Sequence, residues 1–454
     1  MNAATDRHAE YDKRRLFVLS VLALTTAGIS FSLRSSVAEA LRTTFFDPID
    51  KMHSAEMIGS ALGVAFLGFA FTIAVASPIL DTLGMGRVLQ ASSLSFIVGT
   101  LTVVFASSLS GPLGIYRTIW LGMLLTGVGW GLVETAINPL AATLYPEDKT
   151  HRLNVLHAWW PMGIIIGGLV GLAVGRLEMG WQAKLGVVVI PAVLYGVGLV
   201  GAKFPPTERV AAGVSSGEMF REVARPLFVV WFLSMFLTAA SELAPGQWVD
   251  MALTRTVGFQ GIWLLIYVSG LMFVMRHFAG PLAHRLSPVG LLWFSCLLAS
   301  AGLVLLSFAN SPVSGLLAAT IWGAGVCFMW PTMLAAASER FPRGGALLMG
   351  LMGTAGTLSI YFVLPKMGQI FDGAKTNAAG GEAAFGALSA SAAAGDVASQ
   401  TRLNEVLTIA SQTSFRSVAI LPAVLLLVFG AIWLFDRARG GYRAANIAGS
   451  SVAE

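Results

Sequence analysis

Apolar residues run along this chain in long blocks separated by short polar breaks. A block of roughly 20 mostly apolar residues is what one helix needs to cross a bilayer. Twelve blocks meet that length, at approximately 16–41, 55–80, 88–110, 114–141, 153–175, 182–203, 226–250, 259–283, 288–310, 312–336, 344–365 and 417–436. The pattern predicts twelve transmembrane helices, and an even number returns both termini to the same side. Residues 1–15 are polar and end in Lys13-Arg14-Arg15, and the apolar block after them is too long for a signal-peptide core. With no small-residue cleavage site behind it, that block is expected to be an uncleaved first helix.

Composition supports the same class. Apolar residues make up 56% of the 454 and charged residues only 12%, too few charges to cover the surface of a soluble protein. The 50 glycines and 18 prolines sit inside the apolar blocks, where membrane helices use them for close packing and for breaks. The net charge of +5 follows from placement. With the N-terminus inside, 17 of the 29 Lys and Arg lie on cytoplasmic segments and 10 on outer ones. The excess is clearest in residues 7–15, 203–225 and beyond Arg437. The positive-inside rule then predicts a multi-pass protein of the inner membrane with both termini cytoplasmic. Its basic residues face lipid headgroups, and no nucleic-acid partner is expected. Cys296 and Cys327 lie in apolar blocks without metal-ligand spacing and are read as packing residues.

The blocks fall into two sets of six. Trp130-Gly131 and Pro139 in the fourth recur as Trp322-Gly323 and Pro331 in the tenth at a constant offset of 192, and Glu147 and Glu339 keep it. This fits two parallel six-helix halves. The expected organisation is a cytoplasmic N-terminus (1–15), a first half (16–203), a cytoplasmic linker (204–225), a second half (226–436) and a cytoplasmic tail (437–454). Pro205, Pro206 and the Gly213–Gly217 patch mark the linker. The Ala-, Gly- and Ser-rich stretch 372–413 is expected to be a periplasmic loop, partly ordered at most.

Away from the block ends, intramembrane charges stand out in spans one, four, seven and eight: Arg34, Glu134, Glu242 and Arg276. Spans three, six, nine and twelve have none in their interiors. Ionisable groups are costly in lipid, so the four are expected to face protein or an aqueous cavity. No clustered metal ligands, nucleophile with its base or nucleotide-binding glycine loop accompanies them. The chain therefore does not read as an enzyme, and neither cofactor nor metal is expected.

Two motifs carry a family resemblance. Asp81-Thr82-Leu83-Gly84-Met85-Gly86-Arg87, between spans two and three, resembles the cytoplasmic turn of the major facilitator superfamily, with Asp81, Gly84 and Arg87 matching and Ser77 at the usual leading Gly. Such a turn lets carboxylate and guanidinium pair across helix ends and latch one conformation. Its second-half counterpart has His284 in place of the acid. In spans four and five, Gly131-Leu132-Val133-Glu134-Thr135-Ala136-Ile137-Asn138-Pro139 is followed by Arg152-Leu153-Asn154, His157, Gly163, Gly167 and Gly168. Over about forty residues this is similar to the fucose permease group of sugar–proton symporters. Two departures stand out: the group's glutamine is His157, and Arg34 occupies the region of span one where the group carries an acid.

The resemblance implies the major facilitator fold, an all-α membrane protein of twelve transmembrane helices in two pseudo-symmetric halves. It also implies a secondary transporter of a monosaccharide, with the proton as coupling ion. The alternatives are a facilitator or exporter of another small organic solute and, from a different class, a non-transporting membrane sensor. A monomer suffices, since two halves form one pathway.

Glu134 and Asn138, four residues apart, share a helix face ahead of Pro139. The repeat puts Val326 and Trp330 at the matching positions, so the fold itself needs no carboxylate there. Glu134 reads as a substrate and proton site, or as the structural partner of Arg34 or Arg276. Asn154 and His157 stand one turn apart as candidate substrate contacts, His157 also reading as a packing residue. In span seven Glu242, Gln247 and Trp248 bracket Pro245-Gly246, a break where polar groups reach a ligand; Glu242 reads equally as an ion-pair partner. Arg276 is read as a brace. Trp159, Trp160, Trp248, Trp330 and Tyr361 are candidate stacking faces for sugar C–H groups.

Overall fold

The computed structural model describes residues 11–49, 54–257, 262–445 and 447; the side chains of 246–257, among a few others, lie outside the described part. All regular structure among the described residues is helical. The spans are Lys13–Ser36, Ser54–Ala76, Met85–Val104, Ile115–Leu144, Lys149–Arg176 and Trp181–Gly198, then Pro226–Val257, Ile262–Arg276, Ala279–Leu306, Pro312–Val326 with Met329–Arg340, Gly345–Ala379 and Val397–Ala438. Eleven described helices are long and apolar enough to cross a membrane. The remaining one, Ile262–Arg276, is shorter, and 258–261 before it lie outside the described residues.

Local chemistry sets the boundaries. Asp12 caps the first span by accepting from the Arg15 amide at 2.9 Å. Gly84, at φ 83° and ψ 131°, makes the turn between spans two and three, a conformation that penalises any Cβ. The helix Ala279–Leu306 is interrupted at Ser287 (φ 65°, ψ 161°), so its first residues continue span eight and Pro288 opens span nine. Ser311 closes a capping box with Ser314 ahead of span ten.

The stretch 372–413 requires a correction. It is helical almost throughout: span eleven runs on to Ala379, Glu382–Ala393 forms its own helix, and the helix of span twelve begins at Val397. Alanine is the strongest helix former, so a polar Ala-rich segment folds this way. Gly380, Gly381 and Gly395, all at positive φ, supply the breaks. Asp396 caps the last helix through the Ser399 amide at 2.9 Å.

The chain divides into two compact units. One contains the chain up to Val229, Leu334–Thr354 and the residues from Ala444; the other contains Val230–Met333 and Ala355–Arg443. In the first, span one packs along span five, spans two and three along span four, and span three against span six. In the second, spans eight and nine pack on span ten, and span nine on span twelve. The pairings 2·4, 3·4 and 3·6 thus recur as 8·10, 9·10 and 9·12, the repeat expressed as packing. The linker carries the short helices Glu208–Ala211 and Ser216–Val223, which pack within the first unit against the turn Pro342–Gly344.

Candidate functional site

Span four places Trp130, Glu134 and Asn138 on one face by their four-residue spacing. The Asn138 amide nitrogen donates to the Glu134 carboxylate Oε2 at 2.7 Å and to the Glu134 carbonyl at 3.0 Å. That leaves Asn138 Oδ1 as an acceptor, and His157 Nε2, 2.8 Å away, must be the donor. His157 Nε2 stands 4.0 Å from Glu134 Oε2. The side chains of Glu134 and His157 are only 9% and 4% exposed. Glu134 Oε1 accepts no hydrogen bond among the described residues, so one carboxyl oxygen is open to a proton or a ligand hydroxyl.

Arg34 lies in the same unit. Its guanidinium stands 4.8 Å over the Trp130 ring, with Nε 3.0 Å from Met123 Sδ and Nη2 donating to the Leu62 carbonyl at 2.8 Å. It is not the ion-pair partner of Glu134. Trp130 is enclosed by the rings of Phe31, Phe66, Phe69 and Trp160 at centroid distances of 5.6–6.1 Å. Sequence reasoning used Trp130 only as a repeat marker; the signal for its place was its position one turn before Glu134.

Asn154 is buried and donates to the Thr150 carbonyl at 2.8 Å; its amide nitrogen bonds along its own helix, away from Glu134. Thr150 in turn donates to Glu339 Oε1 at 2.9 Å. In the other unit, Glu242 Oε1 accepts from Arg276 Nη2 at 3.1 Å, and Arg276 Nε donates to the Cys327 carbonyl at 2.7 Å. Glu242 is therefore the partner of Arg276, and its buried Oε2 meets the hydrogen-bond geometry with no donor among the described residues. The side chains of Gln247 and Trp248 lie outside the described residues. Of the aromatic candidates, Trp160 joins the Trp130 cluster, Trp330 lies against Gly356, and Tyr361 is 71% exposed.

The turn at Asp81 is tied in a way the motif alone did not predict. Asp81 accepts from Thr207 Oγ1 at 2.6 Å and forms an ion pair with Arg209, both in the linker, while Arg87 of the motif is exposed. Nearby, Lys149 pairs with Glu208 at 2.7 Å and Arg343 with Glu218 at 2.8 Å. Together these pairs hold the linker and the segment around Glu339 and Arg343 in one unit. Glu218 is held below the usual carboxylate range by the Ser215 backbone and hydroxyl, with Arg343 and Arg221 adding to this. A depressed value means the contact is present at neutral pH and is lost only as pH falls through that lowered value. Any titration near neutrality must therefore come from another group.

The fold is shared with known proteins. The E. coli fucose:proton symporter FucP superposes with a TM-score of 0.63 at 16% identity, covering 89% of this chain and 98% of that one. The xylose transporter XylE from E. coli gives 0.62 at 16% identity, covering 92% and 97%. In sequence, the D-xylose transporter of Levilactobacillus brevis is 27% identical over 167 residues, 37% of this chain and 32% of that protein. Myo-inositol transporter 1 of Candida albicans is 26% identical over 225 residues, 47% and 38% respectively. The matches thus span about a third of the length of these relatives. Across residues 12–363 the chain matches the family model of the Major Facilitator Superfamily, and with its all-helical, twice-repeated membrane fold it is a member of that superfamily.

Proposed function

We propose that this chain is a secondary transporter that carries a monosaccharide across the inner membrane by alternating access, coupled to protons. The observation that carries the reading is the buried chain His157–Asn138–Glu134, which leaves one carboxyl oxygen of Glu134 open. That oxygen accepts a sugar hydroxyl or a proton, and Asn138 holds the other in either charge state. The aromatic wall of Trp130 and Trp160 offers faces for sugar C–H groups. Sugar and polyol transporters among the relatives, and sugar–proton symporters among the structural neighbours, support the substrate class and the coupling ion. The basic segments at both ends support a cytoplasmic location for the termini, and a monomer is the expected working unit. Asp81 and Gly84 serve as a cytoplasmic latch with Arg209, while among the described residues Arg87 makes no comparable contact.

One observation favours a second reading: Arg34 stands where the resembling group carries an acid, which suits a facilitator that needs no proton. Uptake of labelled fucose, glucose, galactose and mannose into proteoliposomes separates the two. Accumulation of one sugar only under an inward proton gradient is the expected result. Gradient-independent equilibration would favour the facilitator, and no uptake of any sugar would sink the substrate class.

A further inference from the structure

Four lysine or arginine side chains are buried among the described residues: Arg34, Lys149, Arg209 and Arg276. Three have carboxylates, Lys149 with Glu208, Arg209 with Asp81 and Arg276 with Glu242. Arg34 has none. Its neighbours are a thioether sulfur, one backbone carbonyl and the face of Trp130. A guanidinium offers five N–H donors in a fork that fits a carboxylate, and these contacts occupy two of its three nitrogens, one of them with a weak sulfur acceptor.

A second donor beside it is also unmet. The Trp130 indole N–H, buried under the same guanidinium, makes no hydrogen bond among the described residues. The repeat supplies a control, because Trp322, the equivalent of Trp130, donates its N–H to the Ser241 carbonyl at 3.3 Å. The second half therefore satisfies its copy of this tryptophan internally, whereas among the described residues Trp130 and one nitrogen of Arg34 are left without a hydrogen bond. A buried unpaired cation is costly, and the remedy is a charge that arrives from outside. Phe31, Phe66 and Trp160, which flank Trp130, are only partly buried, so the aromatic wall beside Arg34 is not closed over by the rest of the chain.

We infer that Arg34 receives a carboxylate of the transported solute, making the preferred substrate an anionic sugar, a uronic acid, rather than its neutral parent. One unpaired positive charge matches one negative charge. The carboxylate engages Arg34, while the sugar hydroxyls are left to the open oxygen of Glu134. The inference rests on the sugar-transporter reading and sharpens its substrate class.

The test is uptake into proteoliposomes at pH 7 of matched pairs, labelled glucose against glucuronate and galactose against galacturonate. The wild type is expected to prefer the acid roughly tenfold or more, about 1.4 kcal/mol. Arg34→Gln should bring the acid-to-neutral ratio to near one, with Arg34→Lys retaining part of the preference. Acid-specific thermal stabilisation of the purified wild type provides a readout that needs no variant. A wild type that carries neutral sugars as well as or better than their acids overturns the inference and leaves the sugar-transporter reading standing. An acid preference unchanged in Arg34→Gln overturns the role of Arg34. Movement of neither kind of sugar overturns both.

Discussion

A charged side chain among apolar helices needs an opposite charge, hydrogen bonds or a way to become neutral. Glu242 takes the first course with Arg276. Among the described residues Glu134 has no lysine or arginine partner; His157 Nε2 stands 4.0 Å away, and the Asn138 amide nitrogen donates to its carboxylate. Asp81 pairs with Arg209 across 128 residues of sequence. The last pair is accessible to a double-mutant cycle: Asp81→Asn, Arg209→Gln and the double variant should show a coupling of about 0.5–3 kcal/mol in thermal unfolding. Additive losses would mean that the two groups do not stabilise each other. Glu134 and Asn138 were legible in the sequence because helical spacing alone puts them on one face. Arg209 was not, since nothing local links a linker arginine to an acid four spans earlier. His157 was legible as a candidate, but its hydrogen bond to Asn138 depends on how closely span five meets span four.

Between spans one and five, the spaced glycines define a seam. A Cβ at Gly163 would stand 2.5 Å from the Thr25 carbonyl oxygen and 3.0 Å from the Gly28 Cα, and at Gly167 3.0 Å from the Ile29 carbonyl oxygen. Small residues let two backbones approach where lipid supplies no hydrophobic drive for association. Gly163→Val is therefore expected to cost about 1–3 kcal/mol by overpacking, measured as a lowered thermal midpoint in detergent. Gly168, where the nearest atom is Ser32 Oγ at 3.7 Å, should tolerate alanine. An unchanged midpoint for Gly163→Val would show that the seam is looser than described. The glycine pattern was readable as a motif, but which glycines are pressed hardest follows only from the helix crossing. Residues 372–413 taught the opposite lesson: composition suggested a loop, while alanine propensity and well-placed glycine breaks made helices.

Across the molecule, twelve apolar blocks and a 192-residue repeat carried the fold, because both follow from bilayer thickness and duplication rather than side-chain detail. What the repeat did not carry is the difference between its copies. Glu134 and Asn138 have Val326 and Trp330 as counterparts, and Arg34 has Pro226. Function is expected where the copies diverge. On the proposed role, transport coupled to protons requires Glu134 to change charge between the two sides of the membrane, whereas sugar exchange does not. The decisive measurement compares wild type and Glu134→Gln in proteoliposomes, by sugar counterflow and by accumulation under an inward proton gradient. The variant should exchange sugar yet fail to accumulate it. Accumulation at the wild-type level by Glu134→Gln would contradict the proposed role of Glu134 in coupling.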